Sequence, residues 1–206
     1  MSADLFLRTA ALRAALVVAT AVATRIGTDD VAAHQVVFEV WNLLALVLDS
    51  IAIAAQAMVG RYLGAGDLAA VRAATRRMLE LSVAAGTVFA VVVVALRGAL
   101  PDVFTDDARV ATLASFLLLH VGLMQPISGI VFALDGILIG AGDLRFLAWA
   151  MGVAAAAFVP VALAVLGLDL GIGWLWGAFW LLQTVRMATL YARWRGDAWM
   201  VTGAHR

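Results

Sequence analysis

The sequence predicts an all-α, polytopic membrane protein in which a single domain, residues 1–206, forms a six-helix transmembrane bundle. Hydrophobic residues make up 65% of the chain, whereas a soluble domain is about 45–50% apolar, and the mean hydropathy is +1.01. A chain this apolar cannot hide its surface from water, so we expect a lipid bilayer to be its solvent. Six segments resemble the ~20-residue apolar stretch that a spanning helix needs. These predicted spans are residues 5–26, 32–59, 79–96, 110–139, 146–168 and 171–190.

The charged residues within each segment set the strength of each prediction. The fifth span has no charged residue, and the fourth has one acid near its end. The second span contains two acids, the third has one at its edge, and the sixth contains one late Arg. The first span is the weakest because three Arg residues enter or flank it: Arg8, Arg13 and Arg25. We retain it because the long stem of Arg can carry its guanidinium group to the membrane surface.

The longest predicted connection, residues 60–78, is a cytoplasmic surface loop or a short helix. Asp67 is suited to cap such a helix by accepting a hydrogen bond from a free backbone N–H. Three Arg residues would then meet anionic lipid headgroups: Arg72, Arg76 and Arg77. With the N-terminus in the cytoplasm, eleven of the fourteen Arg residues lie on that side, as the positive-inside rule favours. We therefore expect a multi-pass protein of the plasma or inner membrane with both termini in the cytoplasm.

Tryptophans mark the two ends of the sixth span. Trp174 and Trp176 lie at its outer end, and Trp194 lies at its inner end. The helical rise between Trp176 and Trp194 is about 27 Å. This length is close to the hydrocarbon thickness and is typical of aromatic belts at the two membrane surfaces. The alternative is that these side chains fill contacts between helices.

The second span carries polar residues at a regular spacing. Gln35, Asn42, Asp49 and Gln56 recur every seven residues, and Glu39 falls on the same side. Two turns of helix return to nearly the same face, so these five side chains share one side of the helix. Such a face cannot point at lipid. It predicts either a solvated substrate path or a polar contact between helices.

The fourth span carries a second set of polar residues. Ser128 and Asp135 are again seven positions apart, and an acid at membrane depth is a candidate functional residue. The segment 134–139 (Leu-Asp-Gly-Ile-Leu-Ile) shares a pattern with 48–53 (Leu-Asp-Ser-Ile-Ala-Ile). This shared pattern raises the hypothesis of an internal duplication in which Asp49 and Asp135 are equivalent.

Composition disfavours several classes of function. All fourteen basic residues are Arg, so the chain has no Walker A lysine for ATP binding. It has no Cys, and its three His residues are far apart, so we expect no metal site: His34, His120 and His205. The formal net charge is zero, whereas nucleic-acid binding needs a basic face. We therefore expect no cofactor, no metal and no nucleic-acid partner.

Four sequence blocks carry a family resemblance. Residues 32–36 read Ala-Ala-His-Gln-Val, and 48–57 read Leu-Asp-Ser-Ile-Ala-Ile-Ala-Ala-Gln-Ala. Residues 60–67 read Gly-Arg-Tyr-Leu-Gly-Ala-Gly-Asp, and 134–143 read Leu-Asp-Gly-Ile-Leu-Ile-Gly-Ala-Gly-Asp. The first three blocks resemble the eighth transmembrane helix and following loop of DinF-type transporters of the MATE (multidrug and toxic compound extrusion) family. The fourth resembles the end of their tenth helix, and the resemblance covers essentially the whole chain.

The resemblance implies helices seven to twelve, which form the C-terminal lobe of a transporter whose two six-helix lobes rock to give alternating access. It implies efflux of cationic or amphipathic compounds by antiport, with H⁺ or Na⁺ as the coupling ion. Asp49 and Asp135 would bind this ion or a cationic substrate, and proton uptake would release it. Some branches place a coupling Asp in the N-terminal lobe, which this chain lacks, and the first span has no acid beyond Asp4. The expected partners are the bilayer, the substrate, and the missing lobe or a second copy in a homodimer.

Other functions stay open at this level. A lipid-linked oligosaccharide flippase of the same superfamily would carry several basic residues in a central cavity, whereas Arg here is concentrated near helix ends. A stranded fragment would be inactive, and a membrane scaffold would bind without transport. An intramembrane serine protease is disfavoured because Ser128 lacks a Gly-x-Ser-Gly setting and no later span contains His. We therefore expect a transporter rather than an enzyme.

Overall fold

The computed structural model describes residues 3–202, so Met1, His205 and Arg206 lie outside the described residues. Six long helices and one short 3-10 turn, Pro101–Val103, account for the regular structure of this part of the chain, which contains no strand. The all-α prediction is therefore confirmed. The helices are α1 (Ala3–Ile26), α2 (Thr28–Gly64), α3 (Leu68–Leu96), α4 (Ala108–Gly140), α5 (Leu144–Gly167) and α6 (Ile172–Arg195).

Five of these helices, α1 to α5, are long and apolar enough to cross a membrane. The sixth predicted span also forms a helix, and its 24 residues are sufficient in length. It is less apolar than the other five because polar side chains such as Gln183 and Arg186 lie within it. Both side chains are buried, so they point into the bundle rather than toward lipid.

Residues 60–78 differ from the prediction, because they form neither a loop nor a separate surface helix. Helix α2 continues to Gly64, α3 begins at Leu68, and only a three-residue turn separates them. The predicted cap is present, since Asp67 Oδ1 accepts a 2.9 Å hydrogen bond from the backbone N–H of Ala70. The capped helix is the first part of α3 itself, because nothing in the following sequence interrupts helical hydrogen bonding.

Helix α4 lies at the centre of the bundle, where it packs against α2, α3 and α6. On the other side of the bundle, α1 packs against α5, and α5 packs against α6. A smaller contact between α1 and α2 connects the two sides. This arrangement leaves one side of α2 uncovered by the other five helices, which is the side that carries its polar residues.

Glycines let α4 approach α2 closely. Gly136 and Gly140 form a Gly-x-x-x-Gly pair, a spacing that favours close helix contact in membranes. A Cβ atom at Gly136 would overlap the carbonyl oxygen of Ala52, and one at Gly140 would overlap that of Gln56. The two backbones are therefore in direct contact, so larger side chains at these positions would force the helices apart.

A buried aromatic cluster joins α2, α5 and α6. The ring of Phe179 lies 5.0 Å from that of Trp176, 5.1 Å from Phe158 and 5.5 Å from Trp41. The belt prediction is wrong for Trp176, which is fully buried in this cluster, whereas Trp174 is 62% exposed. The reason is helical periodicity: residues two positions apart point about 200° away from each other, so they cannot share one surface.

Candidate functional site

One buried carboxylate, that of Asp135 in α4, accepts hydrogen bonds from two Arg side chains. Nη2 of Arg8 in α1 and Nη2 of Arg186 in α6 each lie 2.6 Å from Asp135 Oδ2. The exposed fraction of the side chain is 8% for Asp135, 7% for Arg186 and 18% for Arg8. Charge-assisted hydrogen bonds of this kind are stronger than neutral ones. These three residues, which we call the Asp135 triad, therefore join α1 and α6 to the central helix.

The triad continues into a neutral hydrogen-bond network between α4 and α6. Arg186 Nη1 donates to Gln183 Oε1 at 3.0 Å, and Gln183 Nε2 donates to Ser128 Oγ at 3.0 Å. Both Gln183 and Ser128 are fully buried. Ser128 and Asp135 thus share one face of α4, as their seven-residue spacing predicts, and that face is covered by α6.

The Asp135 triad carries a formal net charge of +1, because two guanidinium groups surround one carboxylate. A cation that approached Asp135 would meet this excess positive charge. Oδ2 already accepts from both Arg side chains, and a cation that displaced either guanidinium group would leave that charge buried without a partner. The geometry therefore suits Asp135 to holding three helices together, and its role as a cation ligand stays a prediction.

The positions of Arg8 and Arg186 differ from the sequence interpretation. We expected the Arg8 guanidinium to reach the membrane surface and counted Arg186 among the arginines of the cytoplasmic side. Both instead point into the bundle, because a carboxylate within hydrogen-bond distance offsets their loss of hydration. One sequence signal indicated the partner of Asp135. An acid at membrane depth needs a counter-ion, and Arg186 is the one charged residue of the sixth predicted span, so it was a candidate for that role.

The second polar region is the α2 stripe, which we define as Gln35, Glu39, Asn42, Asp49 and Gln56. All five side chains are exposed. Gln35 Nε2 donates a 2.9 Å hydrogen bond to Glu39 Oε1 within the stripe. The other three make no side-chain hydrogen bond or ion pair with any described residue. Both carboxylates are therefore free of a cationic partner in the described part of the chain.

The α2 stripe is long enough to cross the membrane. Its ends, Gln35 and Gln56, are separated by a helical rise of about 32 Å, and the hydrocarbon core is about 30 Å thick. Large apolar side chains flank it, with exposed fractions of 64% for Leu43, 69% for Leu46 and 61% for Ile53. Unpaired carboxylates and amides at this depth cannot face hydrocarbon. This side of α2 must therefore face water or another protein surface.

A groove of about 470 Å³ lies between α1 and α2, and the residue of α2 that lines it, Phe38, precedes Glu39 of the stripe in sequence. Arg13, Thr20 and Thr24 of α1 line one wall, and Phe38 of α2 lines the other. The hydroxyl groups of Thr20 and Thr24 donate to carbonyl groups of their own helix, so they are compatible with an apolar neighbour. The groove thus adds aromatic and apolar groups to the polar and ionic groups that α2 exposes.

The structure separates the predicted site residues into two groups. Asp49 and Asp135 do not meet, because one is exposed on α2 and the other is buried between α1, α4 and α6. The buried network contains Ser128 and Asp135, and the α2 stripe contains Gln35, Glu39, Asn42, Asp49 and Gln56. Within residues 3–202, no group of three or more His, Asp or Glu side chains is arranged to hold a metal ion.

Comparison with protein families and curated proteins gives a consistent result. The family model described as MatE matches residues 7–166. Protein DETOXIFICATION 44, chloroplastic, from Arabidopsis thaliana is 32% identical over 183 residues, which cover 87% of this chain and 34% of that protein. A probable multidrug resistance protein NorM from Xylella fastidiosa is 30% identical over 162 residues, which cover 76% of this chain and 32% of that protein. The chain thus spans about a third of the length of these relatives.

Solved structures show the same fold. A structure described as MATE in complex with MaD3S has a TM-score of 0.87 and 16% identity, and the match covers 98% of this chain and 46% of that one. A transporter of the MOP superfamily from Pyrococcus furiosus has a TM-score of 0.81 and 17% identity over 98% of this chain and 45% of that one. In each case the six helices correspond to a little under half of the matched chain.

Proposed function

The chain belongs to the MatE family, and we propose that it acts as one lobe of a secondary transporter that exports cationic or amphipathic compounds in exchange for H⁺ or Na⁺. Members of this family are transporters rather than enzymes, and the apolar helices make this chain a multi-pass membrane protein. The observation that carries the proposal is the α2 stripe. Its five polar side chains are distributed over a length close to the depth of a membrane, and the other described helices leave them exposed.

The chemistry of the stripe matches a cationic, amphipathic substrate. Glu39 and Asp49 offer negative charge without a competing Arg, while Leu46 and Ile53 offer apolar surface beside them. Proton uptake by these carboxylates, or Na⁺ binding to them, would remove the charge that holds a cationic substrate. Competition of this kind couples export of one cation to import of another. We retain Asn42, Gln35 and Gln56 in the proposed site as uncharged hydrogen-bonding groups.

The arrangement of the Arg residues favours efflux of cations over transport of anionic lipid-linked sugars. Arg8 and Arg186 do lie inside the bundle, but both are bonded to Asp135 and mostly buried. Two further Arg residues lie near this side of the bundle: Arg13 lines the groove between α1 and α2, and Arg61 lines a pocket with Gln56 of the stripe. A cavity for an anionic headgroup would need more cationic groups on this side.

A second lobe is the proposed partner that covers the stripe. It belongs either to the same polypeptide or to a second chain, and a second copy of this chain would also supply six helices. An immunoblot of native membranes with an antibody against residues 196–206 distinguishes these arrangements. A band near 21.7 kDa identifies a separate half, whereas a band of about twice that mass identifies a two-lobe polypeptide. We further propose that both termini face the cytoplasm, in line with the distribution of Arg.

The test of the function is transport by Asp49→Asn. The protein, together with the second lobe that the immunoblot identifies, is reconstituted into liposomes, and uptake of a fluorescent cationic dye is driven by an imposed H⁺ or Na⁺ gradient. We expect the substitution to reduce gradient-driven transport by about tenfold or more, because a hydrogen bond to a charged group is lost. The gradient that drives transport by the unsubstituted protein identifies the coupling ion.

The matched control is Asp102→Asn, which makes the same chemical change at an exposed acid in the 3-10 turn. It should transport dye at the normal rate. Normal transport by Asp49→Asn, under either gradient, would exclude this carboxylate from the mechanism. Equal losses in both variants would show that the effect is not specific to the stripe.

A further inference from the structure

A basic groove lies at the end of the bundle where α3 begins and α6 ends. Its volume is about 610 Å³, which is within the range of small-molecule sites. Four Arg side chains and two acids line it, so its formal charge is +2. These residues are Arg72, Arg76, Arg77, Arg195, Glu80 and Asp197.

The two acids of the groove are each paired with one Arg. The pairs are Arg72 with Asp197 at 2.8 Å and Arg77 with Glu80 at 3.1 Å. Arg76 and Arg195 have no ion pair or side-chain hydrogen bond with any described residue. Two guanidinium groups in one groove are therefore available to an anion, and the exposed pairs beside them are weak enough to rearrange around it.

The segment after α6 forms a wall of this groove. Trp199 is 2% exposed, and its Nε1 donates a 3.0 Å hydrogen bond to the carbonyl oxygen of Trp194. Asp197 bonds to Arg72 at the start of α3. These contacts fold the segment back against the bundle, so the groove is a built feature of the fold.

An apolar groove of about 500 Å³ continues from the basic groove along α3 and α6. Its apolar and aromatic lining consists of Leu79, Val83, Ala84, Ile130, Tyr191 and Trp194. Arg76, Glu80 and Trp194 line both grooves, so the two are continuous. The rings of Tyr191 and Trp194 lie 5.5 Å apart at this junction, and such aromatic side chains favour the level of the lipid headgroups.

We propose that the two grooves together bind one anionic phospholipid, with its phosphate between Arg76 and Arg195 and an acyl chain along the apolar groove. A soluble phosphate compound would share the phosphate chemistry but would leave the apolar groove empty. A zwitterionic phospholipid would fill both grooves but would bring a cation toward a groove of charge +2. The continuity of charge and apolar surface therefore assigns the site to an anionic lipid.

The test is native mass spectrometry of the full chain in detergent, titrated with dioleoylphosphatidylglycerol or with dioleoylphosphatidylcholine. We expect the anionic lipid to bind more tightly. Arg76→Gln combined with Arg195→Gln should weaken its binding roughly 25-fold, at roughly fivefold for each Arg, and should affect the zwitterionic lipid much less. The control pair Arg61→Gln and Arg145→Gln removes two exposed Arg residues outside the groove and should leave lipid selectivity unchanged.

A second variant separates lipid from soluble phosphate. Ala84→Trp fills the apolar groove without changing charge, and it should weaken both lipids. Glycerol phosphate should compete only at far higher concentration than the anionic lipid. Equal affinity for the two lipids, or an effect of the control pair as large as that of Arg76 and Arg195, would overturn the proposal. So would competition by glycerol phosphate at the lipid's own concentration. Circular dichroism shows which variants retain their helices, and the readout is independent of transport.

Discussion

Two segments of this protein share a local sequence and have opposite environments. Leu48–Ile53 in α2 and Leu134–Ile139 in α4 each contain an Asp after a Leu and before a small residue and an Ile. Asp49 is exposed and has no ion pair in the described part of the chain. Asp135 is buried and bonded to two guanidinium groups. The difference arises from what packs against each helix, since α6 and α1 cover the acid of α4 and leave that of α2 uncovered.

The comparison shows that a carboxylate in a membrane helix has two distinct uses. A carboxylate that is surrounded by cations within its own lobe joins helices, and it is poorly suited to exchange ligands because every exchange would leave a buried charge. A carboxylate on an uncovered face has no such constraint and is available to a substrate or an ion. Tests of the comparison should therefore affect stability at Asp135 and transport at Asp49.

The largest expected effect is on stability in Asp135→Asn. Removal of the negative charge leaves Arg8 and Arg186 facing each other without compensation, and breaking a buried pair in this way costs about 3–5 kcal/mol. The free energy of unfolding in detergent, measured by circular dichroism during denaturant titration, would report the loss. Asp49→Asn is the matched control and should change this free energy by about 0.5 kcal/mol or less. Equal stability of the two variants would contradict the distinction between the two acids.

A complete apolar replacement of the triad should reverse that loss. In the variant Arg8→Met/Asp135→Leu/Arg186→Met no buried charge remains, and such replacements are often neutral or stabilising by about 1–4 kcal/mol. We expect the free energy of unfolding of the triple variant to equal or exceed that of the original protein. If it is as unstable as Asp135→Asn, the triad contributes more than charge compensation, and the hydrogen bond to Gln183 would be the next group to test.

A smaller effect is expected from Gly136→Ala, one position after Asp135. The added Cβ would overlap the carbonyl oxygen of Ala52, and forced overpacking costs about 1–3 kcal/mol. The control is Gly152→Ala in α5, where a Cβ would meet nothing within 4 Å and where Ala favours the helix by about 0.5–1 kcal/mol. Thermal unfolding should therefore shift in opposite directions for the two variants. A higher unfolding temperature in both variants would show that α2 and α4 can move apart at Gly136 without cost. The equivalent position in α2 is Ser50, which is exposed and needs no such small residue.

Much of the fold follows from the order of residues along the chain. Hydrophobic runs separated by turn residues predict six helices, and all six are present. Most helix ends lie within two residues of the prediction. The exceptions are both ends of α2, the start of α3 and the end of α6, where the helices are longer than predicted. The DinF-type assignment stays a prediction, whereas the MatE family is shown. The sequence indicated that Asp135 needs a counter-ion and offered Arg186 as a candidate, but a charge at one position in a helix does not identify which distant helices supply its partners, so the pairing with both Arg8 and Arg186 required the structure.

Three features follow from the order of residues alone: the membrane as solvent, the helices, and the shared face of the five stripe residues. Each depends on composition or on the 3.6-residue period of one helix. Which of the two polar faces is covered depends instead on how the helices pack together. Asp49 and Asp135 have nearly the same neighbours in sequence, yet α1 and α6 bring Arg8 and Arg186 to one of them alone. Whether a polar face is buried depends on which helices pack against it, and that packing involves all six helices together.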